Sequence, residues 1–428
     1  MKLVASNASA AFDPRTEADR LFTEIRRATA DPTGVGVSRE SYGDGEQKAI
    51  EIVRRHAEAT GLATDFDAAA NLVVTLSGRD TDKPFIAIGS HLDSVPQGGN
   101  YDGAAGVVAG LLTLMRLKEE RVVPPRNIKV IAMRGEESAW YGKTCVGSHA
   151  LFGGLTEQDL MLTHRSGHGT LGDAMKARGA DVARIARGDT LLDPGSIAAY
   201  LELHIEQGPV MAARGFPTAI VTGIRGNVRH REIHCIGEAA HSGAVPRWLR
   251  RDAVFAVAEL VTHLDEHWES LQQRGLDLVV TVGIMGTNPA EHAMSRVPGE
   301  VSFSFEVRSQ SSDTLEAFYH LMRTECRAIG DKRKVDFRFD RRLDTRPARM
   351  DNAWIERLLR LSKRLGLPTE TLPSGAGHDA AIFANEGVPS AMIFIRNEHG
   401  SHNPHEAMAL DDFLKGADLL YHAVIEAP

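Results

Sequence analysis

Residues 84–117, PFIAIGSHLDSVPQGGNYDGAAGVVAGLLTLMRL, constrain this chain more than any other stretch. Residues 85–88 form a short apolar run of the length a buried strand needs. The run stops at Gly89 and Ser90, and His91, Leu92 and Asp93 follow directly. A loop rich in Gly, Pro and Asn leads to Asp102, and from Gly103 the pattern turns helical, with Val107, Leu111, Leu114 and Leu117 spaced to fill one face. Strand, polar loop, helix is the layout in which α/β folds place their chemistry, beyond the carboxyl ends of the strands. An imidazole and two carboxylates in one such loop point to a metal site.

The same texture recurs along the chain. Residues 14–30 and 44–61 read as amphipathic helices, 71–76 as a strand, and 126–133 (RNIKVIAM) as a buried strand that runs into Arg134, Gly135, Glu136 and Glu137. Residues 199–205 (AYLELHI) are a further strand, with His204 near its carboxyl end and Glu206, Gln207, Gly208 and Pro209 beyond. Strands alternating with helices predict a largely parallel sheet covered on both faces. Near residue 220 the pattern changes. Residues 229–236 (RHREIHCI) alternate polar and apolar, as in a half-exposed antiparallel strand. A helix at about 250–268, strands at 277–285 and 300–308, a helix at 312–329 and a strand at 334–340 then give the order βαββαβ. After Pro347 the α/β texture returns, with a helix at 351–365, a strand at 390–395 and a helix at 411–426. The expected fold class is α/β: a mostly parallel-sheet domain (1–220 and 344–428) with an inserted α+β domain (221–343).

At 428 residues the chain exceeds the usual single-domain size, in keeping with this division. Its 49 Lys and Arg against 57 Asp and Glu leave a net charge of −8, which argues against nucleic acid as a partner. Cys145, Cys235 and Cys326 form no CxxC pair and read as reduced thiols rather than a disulfide framework. No run approaches the roughly 18 apolar residues of a membrane span, and MKLVASNASAAFDP lacks a signal-peptide core. A cytoplasmic location without membrane attachment is expected.

The residues able to carry chemistry cluster at strand ends: His91 and Asp102 from one loop, Glu136 and Glu137 from the next strand, His204 from a third, and His399, His402 and His405 near the C-terminus. Any single one of them has an ordinary explanation as a hydrogen-bonded histidine or a solvated acidic turn. Their shared place at the ends of apolar strands does not. Two divalent ions need a bridging carboxylate with imidazole and carboxylate ligands on each side, and a separate carboxylate to move a proton. Mixed His and carboxylate ligation suits Zn²⁺, Mn²⁺, Co²⁺ or Ni²⁺.

The motifs GSHLDSVPQGGNYDG, RGEESAWYG, LELHIEQGP, AHSGAVPR, SGAGHDA and SHNPHE together resemble the M20 metallopeptidase superfamily, in its amidohydrolase branch of N-carbamoyl-L-amino acid hydrolases, β-ureidopropionases and allantoate amidohydrolases. The resemblance spans nearly the whole chain and implies a dimetal hydrolase acting on the ureido or amide C–N bond of a small carboxylate-bearing substrate. It makes Asp102 the bridging ligand, His91 and His204 the partners at one metal, and Glu137 and His402 those at the other. It makes Glu136 the general acid/base and Asp93 the residue that orients His91. It also implies that 1–220 with 344–428 is the catalytic domain and 221–343 a lid/dimerisation domain, that Arg308 grips the substrate carboxylate, that Gln207 and His378 line the pocket, and that His241 polarises the scissile carbonyl, reaching the site of a partner subunit in a homodimer. The chain departs from the family at Ser295, where an asparagine is usual, within a segment lengthened over 286–293; Asn288 or His292 could supply the lost polar group. Histidine at position 204 fits the carbamoylases better than the aminoacylases and dipeptidases of the same superfamily. A non-catalytic binding protein on this fold would be marked by loss of the base or a ligand, and all are present.

Overall fold

In the computed structural model, which describes residues 12–427, the apolar run of the central stretch is a strand, Phe85–His91, buried along its whole length. It lies in the middle of a mixed sheet. In chain order the first strands are β1 (Ala63–Phe66), β2 (Leu72–Leu76), β3 (Phe85–His91), β4 (Ile128–Met133), β5 (Ile197–Ile205) and β6 (Thr218–Ile224). The sheet runs β1-β2-β4-β3-β5, then the strand Ser390–Ile395, then β6. Its centre is parallel: β3 pairs with β4 and β5, and β5 with Ser390–Ile395. The flanking pairs β1–β2, β2–β4 and Ser390–Ile395 with β6 are antiparallel. The central strands read as continuous apolar runs because both of their faces are covered.

Helices α1 (Pro14–Ala28), α2 (Asp44–Ala59) and α3 (Ala104–Glu119) share one hydrophobic core with the last helix, Leu410–Ile425, and the sheet. The α1 start is set by Asp13, whose carboxylate accepts from the backbone N–H groups of Arg15 and Thr16, with Pro14 at the first helical position. The α3 helix is buried on nearly all sides, not only along the predicted stripe; Val108, Leu112 and Met115 are inside as well. The reason is that α1 and Leu410–Ile425 cover the side turned away from β3.

The described chain separates into two compact units: the part up to Thr222 with the part from Met350 onward, and Gly223–Arg349. The second unit has its own antiparallel sheet, in which Gly226–Ile236 pairs with Glu300–Ser309 and with Asp336–Phe339. Helices Ala253–Gln273 and Ser312–Arg333 share its core through Val257, Leu260, Phe318 and Met322, packed with Ile233, Phe303 and Phe305. The strand expected at 277–285 is two short pieces, Val279–Thr281 and Met285–Gly286, with Gly283 between them. The pattern also left out β1 and β6. β1 is four residues long and alternates exposed with half-buried positions, so it offers no apolar run. Among the described residues no helix is long and apolar enough to cross a membrane.

Candidate metal centre

Because β3, β4, β5 and Ser390–Ile395 are parallel, their carboxyl ends share one edge of the sheet, and the loops that follow converge there. Asp102 lies where they meet. Its Oδ1 is 3.6 Å from His91 Nε2 and 3.3 Å from His204 Nε2; its Oδ2 is 3.6 Å from His402 Nε2, which is 3.3 Å from Glu137 Oε1. Two ligand groups result, His91/Asp102/His204 and Asp102/Glu137/His402. Within each, one donor atom per residue lies within 4.8 Å of the others. His402 is exposed and the other members are buried. Glu202, His204 and His378 form a third such group, but Glu202 already accepts from Ser90 Oγ (3.0 Å) and Ala380 N (2.9 Å), and His378 Nε2 pairs with Ser374 Oγ at 2.8 Å.

The histidines are held with one nitrogen turned inward. His204 donates from Nδ1 to Ile205 O at 2.8 Å, and His91 Nδ1 is 3.2 Å from both the backbone oxygen and Oδ1 of Asp93. Each therefore turns Nε2 toward Asp102. Asp102 Oδ1 and His204 Nε2 are buried with no hydrogen-bond partner among the described residues. Orphaned polar atoms of this kind each cost about 1–3 kcal/mol. The donor set and these orphaned atoms fit a divalent cation. Gly103 makes the close approach possible: its φ is +66°, and a Cβ there would fall 2.5 Å from the His91 ring.

Asp93 organises more than His91. Fully buried, it accepts from the backbone N–H of Glu136 (Oδ1, 3.0 Å), from that of Glu137 (Oδ2, 3.0 Å), and from Ser41 Oγ (2.6 Å). Glu136 points toward His91, with Oε2 3.8 Å from Nε2, and accepts a weak hydrogen bond from Cys145 Sγ at 3.4 Å. The electrostatics follow from this crowding. Burial opposes the charge of Asp102, but His204 and His91 outweigh it and hold the carboxylate well below its usual range. Burial likewise opposes a charged His91, yet Asp102 and Asp93 push it well above the ordinary value. Burial raises Glu136 well above the usual range, with neighbouring Glu137 adding to the effect against His91. The Glu137 hydrogen bond raises His402 to about 9.

The profile of peptidase family M20/M25/M40 matches residues 87–426, a span that takes in both ligand groups. The chain belongs to this family. An N-carbamoyl-L-amino acid amidohydrolase of Geobacillus stearothermophilus is 34% identical to this M20 chain, over 94% of it and 95% of the relative. An allantoate amidohydrolase of Escherichia coli (strain K12) is 32% identical over 91% and 92%. Among solved structures, a hydantoinase/carbamoylase family amidase from Burkholderia ambifaria superimposes with a TM-score of 0.83 at 29% identity, covering 96% of each chain.

The remaining M20 site candidates fall into two sets. Gln207, in left-handed backbone (φ 61°), donates from Nε2 to Asp102 Oδ2 at 2.8 Å, while its buried Oε1 has no partner among the described residues. His378 lies behind His204, with ring centroids 4.4 Å apart, and burial followed by the His204 charge pushes it well below its usual value. His241, Ser295 and Arg308 belong to the Gly223–Arg349 unit. There His241 pairs across a short ladder with Arg296, and Ser242 N donates to Ser295 O at 2.8 Å, so the first two are neighbours. Arg308 forms an ion pair with Glu306 at 3.0 Å. The side chain of Asn288 caps a local turn through Ala290 N, and His292 Nε2 pairs with Thr287 Oγ1 at 2.6 Å. Ser41, Cys145 and Glu406 contact site residues without having been singled out from the sequence. Only Glu406 sits inside a recognised motif; Ser41 meets Asp93 across 52 positions, and Cys145 meets Glu136 across a loop of irregular backbone only nine residues on, where no periodicity signals the contact.

Proposed function

We propose that this chain is a dimetal amidohydrolase that cleaves the ureido C–N bond of a small carboxylate-bearing compound, most readily an N-carbamoyl-L-amino acid. The observation that carries the reading is the buried Asp102, whose two oxygens face separate ligand groups, His91 with His204 and Glu137 with His402. Divalent ions held by these groups would supply Lewis acidity at the scissile carbonyl and at the attacking water. Relatives named for N-carbamoyl amino acid and allantoate hydrolysis support the bond type.

The chain's own groups then have defined tasks. Glu136 takes a proton from the attacking water on a carboxylate oxygen and returns it to the leaving nitrogen. Its burial favours the protonated form of the carboxyl and so helps it hold that proton. Water oxygen bonds to the carbonyl carbon, the C–N bond breaks, and the carbamate released decays to ammonia and carbon dioxide. Asp93 keeps His91 in one tautomer and fixes the Glu136–Glu137 backbone. The unpaired Oε1 of Gln207 is an acceptor suited to the N–H of a carbamoyl group. Arg308 would bind the substrate carboxylate as a bidentate fork, and His241 would polarise the carbonyl from a partner subunit of a homodimer. A partner surface is consistent with Trp248 (74% exposed) and Phe255 (59% exposed) in the same unit as His241.

Ammonia release should be followed on protein stripped and reloaded with Zn²⁺, Mn²⁺, Co²⁺ or Ni²⁺, against N-carbamoyl α-amino acids, β-ureidopropionate, allantoate and a dipeptide panel. Turnover of a ureido substrate that requires metal is the expected result. Turnover confined to dipeptides would place the chain with the peptidases of its family instead.

A further inference from the structure

Glu406 closes the SHNPHE motif but is not one of the candidate ligands. It is buried at 7% exposure and joins two ligand-bearing loops. One of its oxygens, Oε1, accepts from the backbone N–H groups of Tyr101 (2.8 Å) and Asp102 (3.2 Å). The other, Oε2, is 2.7 Å from Ser401 Oγ, which also contacts Asp102 Oδ2. Gly99 leaves room for this carboxylate: a Cβ there would lie 2.1 Å from the Glu406 carboxyl carbon. The His402 loop is closed at its base by the mutual backbone bonds of Glu398 and Ala407, and Asn397 Nδ2 donates to Gly400 O at 2.7 Å. At its tip His402 stands in left-handed backbone, φ 60°, with an exposed side chain.

We propose that Glu406 is a positioning residue: it braces the loop of Asp102 against the loop of His402 and so sets the spacing of the second ligand group, Asp102/Glu137/His402. The first group depends less on this brace, since His91 and His204 are fixed by β3, β5 and their own Nδ1 hydrogen bonds. The inference rests on the dimetal reading above. It also separates charge from geometry. A glutamine at 406 keeps an oxygen for the two backbone donors and offers an N–H to Ser401 Oγ, so it preserves the brace without the carboxylate.

The test counts Zn²⁺ retained per chain after dialysis and measures Zn²⁺ affinity by competition with a chromogenic chelator, for wild type, E406A, E406Q and S401A. Thermal unfolding of the metal-free proteins is recorded beside it. E406A should lose about tenfold or more in affinity at one of the two ions while the other is held nearly as in wild type. E406Q should recover most of that loss. S401A removes only a hydroxyl and part of the brace, so it should fold normally and show the same selective weakening to a smaller degree; it decides the matter if E406A does not fold. Two ions held with wild-type affinity in E406A or S401A would overturn the proposal, as would equal losses at both ions or a loss in E406Q as large as in E406A. If wild type itself does not bind two ions, the dimetal reading fails, which is distinct from failure of the brace.

Discussion

Asp93→Asn tests how much of the site rests on one buried carboxylate. Asp93 Oδ1 faces Glu136 N–H and His91 Nδ1, and Oδ2 faces Glu137 N–H and Ser41 Oγ. An amide has one oxygen, so one side must lose its acceptor. The cheaper orientation turns the new NH₂ toward Glu137 and Ser41, because the serine hydroxyl can rotate to accept, and it leaves the Glu137 N–H facing another donor. A stranded buried donor costs about 1–3 kcal/mol, and loss of charge assistance from the surviving bonds adds roughly 1 kcal/mol. The total is about 3 kcal/mol. Burial raises the Asp93 carboxyl, but His91, Ser41 and the backbone donors outweigh this and hold it below its usual value, so the wild-type charge is present at neutral pH. For a unit of this size about 2 °C of Tm is lost per kcal/mol, so circular dichroism of the metal-free variant should show a fall of roughly 6 °C. Metal affinity or kcat/KM should fall about 10–100-fold, since the residue orients both His91 and the Glu136–Glu137 backbone. A Tm within about 1 °C of wild type, with activity also unchanged, would refute this account of Asp93.

Three further outcomes are expected. Arg308→Ala should lower kcat/KM by the equivalent of about 2–5 kcal/mol for substrates with a free carboxylate and little for their methyl esters; equal losses on both would give Arg308 another role. Mixing His241→Ala with Glu136→Gln chains should return roughly a quarter of wild-type activity, because random pairing gives about half mixed dimers with one intact site each; no recovery after demonstrated subunit exchange would exclude a contribution across subunits. The third concerns pH. Burial raises Glu406 and Asp379 to about 7, and Glu137 raises His402 to about 9. Between about pH 6.5 and 9 the folded metal-free chain therefore binds more protons than the unfolded one, and its stability falls as pH rises through that window. His378, pushed down by burial, acts in the opposite sense, but only below the unfolded histidine value of about 6.5. The Tm in the presence of a chelator should thus drop from about pH 6.5 to about 9, and added metal should offset the drop; a flat or rising Tm would contradict the charge balance described here.

The sequence was most legible where chemistry ends an apolar run. His91, Glu136 and Glu137, and His204 each follow or close a strand whose burial a hydrophobic pattern reveals, and the parallel pairing of β3, β4 and β5 brings those ends together. What holds these residues in place was far less visible. Ser41 meets Asp93 across 52 positions and Tyr101 meets Glu406 across 305, and neither pairing leaves a local periodicity. Left-handed backbone at Gln207, His399 and His402 was equally hidden, since non-glycine residues adopt it only when surrounding contacts impose it. The four-residue β1 escaped because it depends on pairing at the sheet margin rather than on a run of its own, and β6, although Ala219, Ile220 and Val221 are buried in it, escaped because the change of pattern near residue 220 falls inside it.

The central claim is that Asp102 serves two metal ions while Glu136 serves none and moves the proton. Elemental analysis beside steady-state kinetics tests it directly on wild type, Glu136→Gln and Asp102→Ala. Wild type should hold two ions per chain. Glu136→Gln should also hold two, with kcat reduced about 10²–10⁴-fold, and Asp102→Ala should retain neither ion tightly. Full turnover by Glu136→Gln, or two tightly held ions in Asp102→Ala, would contradict the account.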